Sequence, residues 1–444
     1  MTNTTLERTL NLRSLVLFGL AYLTPLIVIG IFGVIASTSA GASASAYLLA
    51  LGAMLFTAAS YGRMAAAYPV SGSAYSYVRR TIDGRVGFLV GWVTLLDYLF
   101  LPMVIWLIGG SYLQAQFPAV PIWVWILAFI ILTTTLNIIG LKVADKINLV
   151  LMSFQTLVIV LFVAFSLAAV VSEKGAAGVF SLAPFTGSGA SIGAIAAGAA
   201  VAAYAFLGFD AVTTLTEETV NPRQTVPRAI MLVALIGGGI FVVVSYAVQL
   251  VHPGGIFENQ DAAGFEIAER IGGAFFSAVF VAALVIAQFT SGLAAQAAGS
   301  RLLFAMGRDG AIPGKFFGIL SEKTRTPVFS IAAIAAVGLI AIFMDVATST
   351  SFINFGAFTA FAMVNLSVIV YWAKNRKDQR LNPLLYIVFP AIGFLVIIYL
   401  MLQLDSNALI LGSVWLLVGA VILAATTRGF TKQPPELQVA GRAS

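Results

Sequence analysis

AYLTPLIVIGIFGVIAST, Ala21 to Thr38, lies in an apolar run of membrane-spanning length, yet it carries Thr24-Pro25 with Gly30 and Gly33 beyond. Proline removes a backbone donor and clashes with the preceding turn, and glycine lowers the cost of non-helical dihedrals. The combination predicts a helix that unwinds near mid-membrane. A second interruption follows five helices later, where Leu207-Gly208-Phe209 divides the apolar run 189–216. Paired broken helices at corresponding positions of two halves point to a binding site at the bilayer midplane. Half-helix ends there present free N–H groups to anions and free carbonyls to cations.

The surrounding composition fits that setting. Of 444 residues, 60% are hydrophobic and 9% charged, against about a quarter charged in a soluble domain. Runs near the roughly 20 apolar residues that a spanning helix needs fall at 12–39, 46–66, 88–113, 121–141, 147–171, 189–216, 229–250, 272–299, 327–345, 351–373, 383–403 and 407–427. The expected fold class is an all-α membrane protein of about twelve transmembrane helices. Met1 to Asn11 is polar and lacks the features of a cleaved signal peptide, so the first run is expected to persist as a helix.

The absence of cysteine excludes disulfides and thiolate metal sites. No phosphate-binding glycine loop, HExxH element or nucleophile–histidine set is present, and His252 is the single histidine. The chain therefore reads as a protein without enzymatic activity, cofactor or metal. A net charge of +6 invites a nucleic-acid reading, but its distribution explains it otherwise. With both termini cytoplasmic, every one of the 24 basic residues except Lys174 and Arg270 falls in an inside segment. That is the positive-inside bias of a multi-pass membrane protein, and nucleic acid is not an expected partner. HPGGIFENQDAAGFEIAER, 252–270, then lies outside, as a lid with a short helix near Phe265 to Arg270 or as a solvated loop. Loops 67–87 and 300–326 are long enough for short helices, and the tail from Thr431 reads as disordered.

SYGRMAAAYPVSGSAYSYVRR (Ser60 to Arg80), AFLGFDAVTTLTEETVNPRQTVPRAI (Ala205 to Ile230) and SRLLFAMGRDGAIP (Ser300 to Pro313), in that order, resemble the signature segments of amino acid/polyamine/organocation transporters. AYLTPLIVIGIFGVIAST, GFLVGWVTLLDYLFLPM and INFGAFTAFAMVNLSVIVYW are similar to the bacterial putrescine-importer branch. The resemblance spans nearly the whole chain. It implies a LeuT-like five-plus-five inverted repeat with two C-terminal helices. The cytoplasmic N-terminus would occupy 1–11, the first repeat 12–171, the second 189–373, the last two helices 383–427 and the cytoplasmic tail 428–444. It also implies a bacterial inner (plasma) membrane location, and alternating access by a secondary transporter.

By the same resemblance, the main chain of Thr24, Pro25, Leu26 and Ile27 and of Ala205, Phe206, Leu207 and Gly208 holds the substrate, and Tyr204 is an aromatic gate. A cation–π contact at such a ring contributes about 0.5 to 2 kcal/mol. The turn Ile27 to Phe32 departs from the glycine-rich pattern of many members, which favours a substrate without an α-carboxylate, such as a diamine. Asp97 and Asp210 are the carboxylates within the spans, and at that depth each needs a polar cavity or a partner. Either pairs with an amine, or Asp97 carries a proton; Asp210 alternatively caps N–H groups freed at the break.

Asn354 either reaches the cavity or stitches two helices. For coupling, Gln155 stands where some proton-coupled relatives have a lysine, and being neutral it cannot serve as one. Thr290 and Ser291 match a sodium-ligand neighbourhood, or form interhelical hydrogen bonds. The expected function is import of a small amine, polyamine or amino acid, coupled to protons in preference to sodium, in contact with membrane lipid. The alternative is a sodium-coupled or uncoupled amino acid transporter or exchanger.

Overall fold

Residues 8–69, 74–140, 145–308, 314–378, 380–429, 431, 432 and 434 are described in a computed structural model, and every regular element among them is a helix. The first membrane run comprises α1 (Leu12–Leu23), α2 (Ile27–Gly30) and α3 (Phe32–Thr38). The rest of the first half holds α4 (Ser43–Ala67), α5 (Ala74–Thr81), α6 (Gly84–Gln116), α7 (Ile122–Ile139) and α8 (Asp145–Lys174). A connection carrying α9 (Ala183–Thr186) leads to α10 (Ile192–Ala202), then to 3₁₀ segments Ala203–Phe206 and Phe209–Glu218. After these come α11 (Pro222–Val251), α12 (Ala263–Arg308), α13 (Gly314–Phe317), α14 (Val328–Gly338), α15 (Val346–Asn375), α16 (Phe389–Leu402) and α17 (Ser406–Thr426).

Eleven helices among the described residues are long and apolar enough to cross a membrane. The run expected at 327–345 differs from the other spans. It forms a shorter apolar helix, Val328–Phe343, because α14 tightens after Gly338 into 3₁₀ turns that end at Phe343. Short helices do form in both long loops, as α5 and α13. Residues 1–7, 70–73 and 309–313, and the tail beyond 434, lie outside the described residues.

The first and sixth runs are both broken where the sequence predicts it. On the side opposite the N-terminus, the 252–262 loop sits across the end of the first run. Ser37 Oγ donates to the Gly255 carbonyl at 2.6 Å, and Phe257 meets Phe32 edge-on at 6.0 Å while stacking on His252. The expected short helix is present as the start of α12, which Gly273 interrupts with φ 69°. On the N-terminal side, Leu10 pairs with Thr219 in a parallel bridge. There the Glu218 carbonyl accepts from Thr9 and Leu10 N–H, and Val220 N–H donates back to Leu10. Helix α17 is latched to α6 by Trp92 and Trp415, which stack 5.0 Å apart. Each indole N–H of that pair donates to the other residue's carbonyl.

Candidate substrate site

Helix α1 stops at Thr24, which is left-handed (φ 47°, ψ 73°) and whose N–H closes the last turn on the Ala21 carbonyl. Pro25 follows with no N–H to continue the ladder. The chain restarts with Ile27 N–H on the Thr24 carbonyl at 2.9 Å and Ile29 N–H on the Leu26 carbonyl at 3.1 Å. Among the described residues, the Leu23 carbonyl and the Leu26 N–H have no backbone partner. A buried unpaired amide is costly, and a substrate acceptor group would satisfy it.

The sixth run breaks by a different route. Beyond α10 the 3₁₀ segment Ala203–Phe206 ends at Leu207, which turns to ψ 129°, and Gly208 takes φ 100°. That left-handed value is available to glycine without strain. A Cβ at Gly208 would run into the Tyr22 ring at the end of α1, so the two breaks meet there. Through this contact the end of α1 just before Thr24-Pro25 lies beside the Leu207-Gly208 turn.

Two carboxylates flank it. Asp97 of α6 and Asp210 of the 209–218 segment lie within electrostatic range of each other. Tyr22 and Tyr98 interact with both, Tyr204 with Asp97, and Tyr61 and Tyr77 with Asp210. Asp97 Oδ1 is buried without a hydrogen-bond partner. Asp210 interacts electrostatically with Tyr61, whose buried hydroxyl has no hydrogen-bond partner and whose ring packs edge-on against Phe209 at 5.7 Å. Coulomb attraction between unit charges at 4 Å runs from about 1 kcal/mol in water to about 4 kcal/mol at an effective dielectric of 20. A cation placed between the two carboxylates would reduce their mutual repulsion, and Asp97 Oδ1 has an acceptor position free for it.

Exposure around the breaks is asymmetric. Leu26 to Ala36 and Ala199 to Phe206 are buried, Tyr204 included. Asp97, Tyr98, Leu207, Gly208 and Asp210 are partly exposed, and Tyr22 is 42% exposed. The locus is sealed toward the 252–262 loop and open toward the N-terminal side.

The remaining expected residues have their own partners or environments. Asn354 Nδ2 donates to the Ala200 carbonyl at 2.8 Å, stitching α15 to α10, while its Oδ1 is buried without a partner. Gln155 is buried on α8. Thr290 bonds within its own helix, to Ile286 and Ala287 carbonyls, so its hydroxyl forms no interhelical bond of the expected kind; Ser291 is half-buried. A cavity of about 710 Å³ lies between the end of α7, α12 and the 324–327 turn, and Thr290 is the one expected site residue in its lining.

Sequence reading missed Tyr22, Tyr61, Tyr77 and Tyr98. Signals were available: Tyr22 precedes Thr24-Pro25, Tyr98 follows Asp97, and Tyr61 and Tyr77 lie inside the Ser60 to Arg80 motif. Their convergence was not encoded in any local pattern.

The family model described as amino acid permease matches residues 15–423. The chain belongs to the amino acid permease family. The permease is 37% identical to the low-affinity putrescine importer PlaP of Escherichia coli strain K12, over 98% of this chain and 96% of that relative. It is 26% identical to the branched-chain amino acid permease BcaP of Bacillus subtilis strain 168, over 96% and 94% of the two chains. To cationic amino acid transporter 4 of Mus musculus it is 26% identical, over 83% of this chain and 60% of the relative. The permease is therefore a multi-pass membrane transporter and not an enzyme.

Proposed function

We propose that the permease imports a small diamine of the putrescine class across a bacterial inner membrane by alternating access, driven by a proton gradient. The observation that carries this reading is the pair Asp97 and Asp210, in electrostatic range of each other and of Tyr22 and Tyr98, with Asp210 two residues beyond Gly208, where the two broken helices meet. A diamine offers one ammonium group to each carboxylate and needs no carboxylate pocket, which suits the bulky turn from Ile27 to Phe32. The relative that is 37% identical is named as a putrescine importer. Asp97, with one oxygen unpartnered, is the group assigned to the proton, and neutral Gln155 is given no charge-carrying role. The repeats 12–171 and 189–373 would rock about the site, whose open side is assigned to the cytoplasm by the basic residues there.

A second reading, sodium-coupled or uncoupled transport or exchange of a neutral amino acid, is favoured by the unpaired Leu26 N–H as a carboxylate donor and by the similarity to a branched-chain amino acid permease.

Ligand binding to the folded state raises stability by mass action, about 2.7 kcal/mol at a hundredfold excess over Kd. Putrescine is expected to raise the melting temperature of the purified protein, and leucine is not. In proteoliposomes an inward-directed proton gradient is expected to drive putrescine uptake above equilibrium, and Asp97→Asn to abolish it with the unliganded melting temperature retained. Stabilisation by leucine and not putrescine would overturn the diamine. Downhill flux with no accumulation would overturn the coupling.

A further inference from the structure

Tyr22 sits in the last turn of α1, two residues before the break, on the open side of the two carboxylates. Its ring covers Gly208, where any side chain would displace it. Phe18, one turn earlier, backs it at 6.2 Å and is also exposed. The exposed Tyr22 ring is within electrostatic range of Asp97, Asp210 and Tyr98. Leu23, Leu26 and Ile27, beyond it, are buried.

The piece that carries Tyr22 is tied to the 209–218 segment at both ends. At Leu10 and Thr219 a backbone bridge pins the start of α1 to the end of the 209–218 segment, and Tyr22 on Gly208 pins their other ends. Toward the sealed side, the Thr24-Pro25 joint and the Leu207-Gly208 turn have already left helical geometry. Rotation there breaks no helical ladder, as expected of hinges.

We propose that Tyr22 is the gating residue on the open side of the site: carried by this two-segment unit, its ring closes against the Asp97–Tyr98 turn of α6 and forms the floor on which the bound ammonium group rests. The inference rests on the amine-transport reading. It assigns the π face, not the hydroxyl, as the working part of the side chain. Tyr22→Phe should then keep amine binding within about twofold, whereas Tyr22→Ala should weaken it about three- to tenfold, within the range of a lost cation–π contact.

Because the chain contains no cysteine, a single thiol can report closure. In Leu101→Cys, one turn beyond Asp97 on α6 and half-buried, an impermeant thiol reagent applied to the open face in inverted vesicles should label freely. Saturating putrescine should slow labelling about tenfold as the population shifts to the closed state. The slowing should survive in Leu101→Cys with Tyr22→Phe and disappear with Tyr22→Ala. Tyr22→Leu, which keeps bulk without a π face, repeats the test should the alanine variant not purify folded. Full protection by putrescine in Tyr22→Ala or Tyr22→Leu overturns the gate. No putrescine-induced melting shift in the unsubstituted permease overturns the amine reading instead.

Discussion

Gly208 does two things that no other residue type does at its position. It holds φ 100° at the break of the sixth run, and it leaves room for the Tyr22 ring. Strained backbone of this kind costs about 1–3 kcal/mol for a residue with a side chain, and the blocked ring adds to it. Gly208→Ala is therefore expected to lower thermal stability. Combined with Tyr22→Ala, it should cost less than the two separate effects summed, because removing the ring removes the clash. Strict additivity in that double-mutant cycle would show that the two residues are not in contact. Glycine, proline and aspartate at these positions were readable in sequence, since each is anomalous within an apolar helix. Tyr22 stands beside Thr24-Pro25, but that adjacency did not show what its ring meets, because a tyrosine in a membrane helix is unremarkable until its neighbours are known.

At the scale of elements, the sealed side is held by Tyr112 of α6. Its buried hydroxyl donates to the Ile29 carbonyl at 3.0 Å, with Gly30 at 3.2 Å, and accepts from Gly264 N–H at 3.2 Å. One side chain thus joins α2, α6 and the start of α12, and the absence of a Cβ on Gly264 lets the hydroxyl approach. Tyr112→Phe leaves the buried Gly264 N–H unpaired, at about 1–3 kcal/mol. The expected outcome is a lower melting temperature with faster hydrogen exchange at Gly264, and unchanged exchange there would exclude this role. Helix breaks were legible because Pro25 and Gly208 act on the backbone locally. The shortening of the 327–345 run was not, because hydropathy records apolarity and is blind to the change from α to 3₁₀ geometry after Gly338.

For the molecule as a whole, the distribution of lysine and arginine makes a topological prediction. A thiol introduced by Glu258→Cys in the 252–262 loop should react with an impermeant reagent on intact cells, whereas one from Lys315→Cys should react only after permeabilisation. The opposite pattern would invert the orientation and with it the assignment of the open side. Hydropathy, charge placement and the two interruptions are properties of the chain read in order, so the helical membrane class, the expected orientation and the location of the breaks were determined by sequence alone. Which side chains gather at those breaks was decided only by tertiary structure. Asp97 and Asp210 are 113 positions apart and Tyr22 and Gly208 are 186 apart; the fold packs α1 against the sixth run and sets Asp97 of α6 within electrostatic range of Asp210. The same packing spends Thr290 on its own helix and ties Asn354 to Ala200. Residue type specifies the chemistry a side chain can perform, and the fold selects the neighbours on which it performs it.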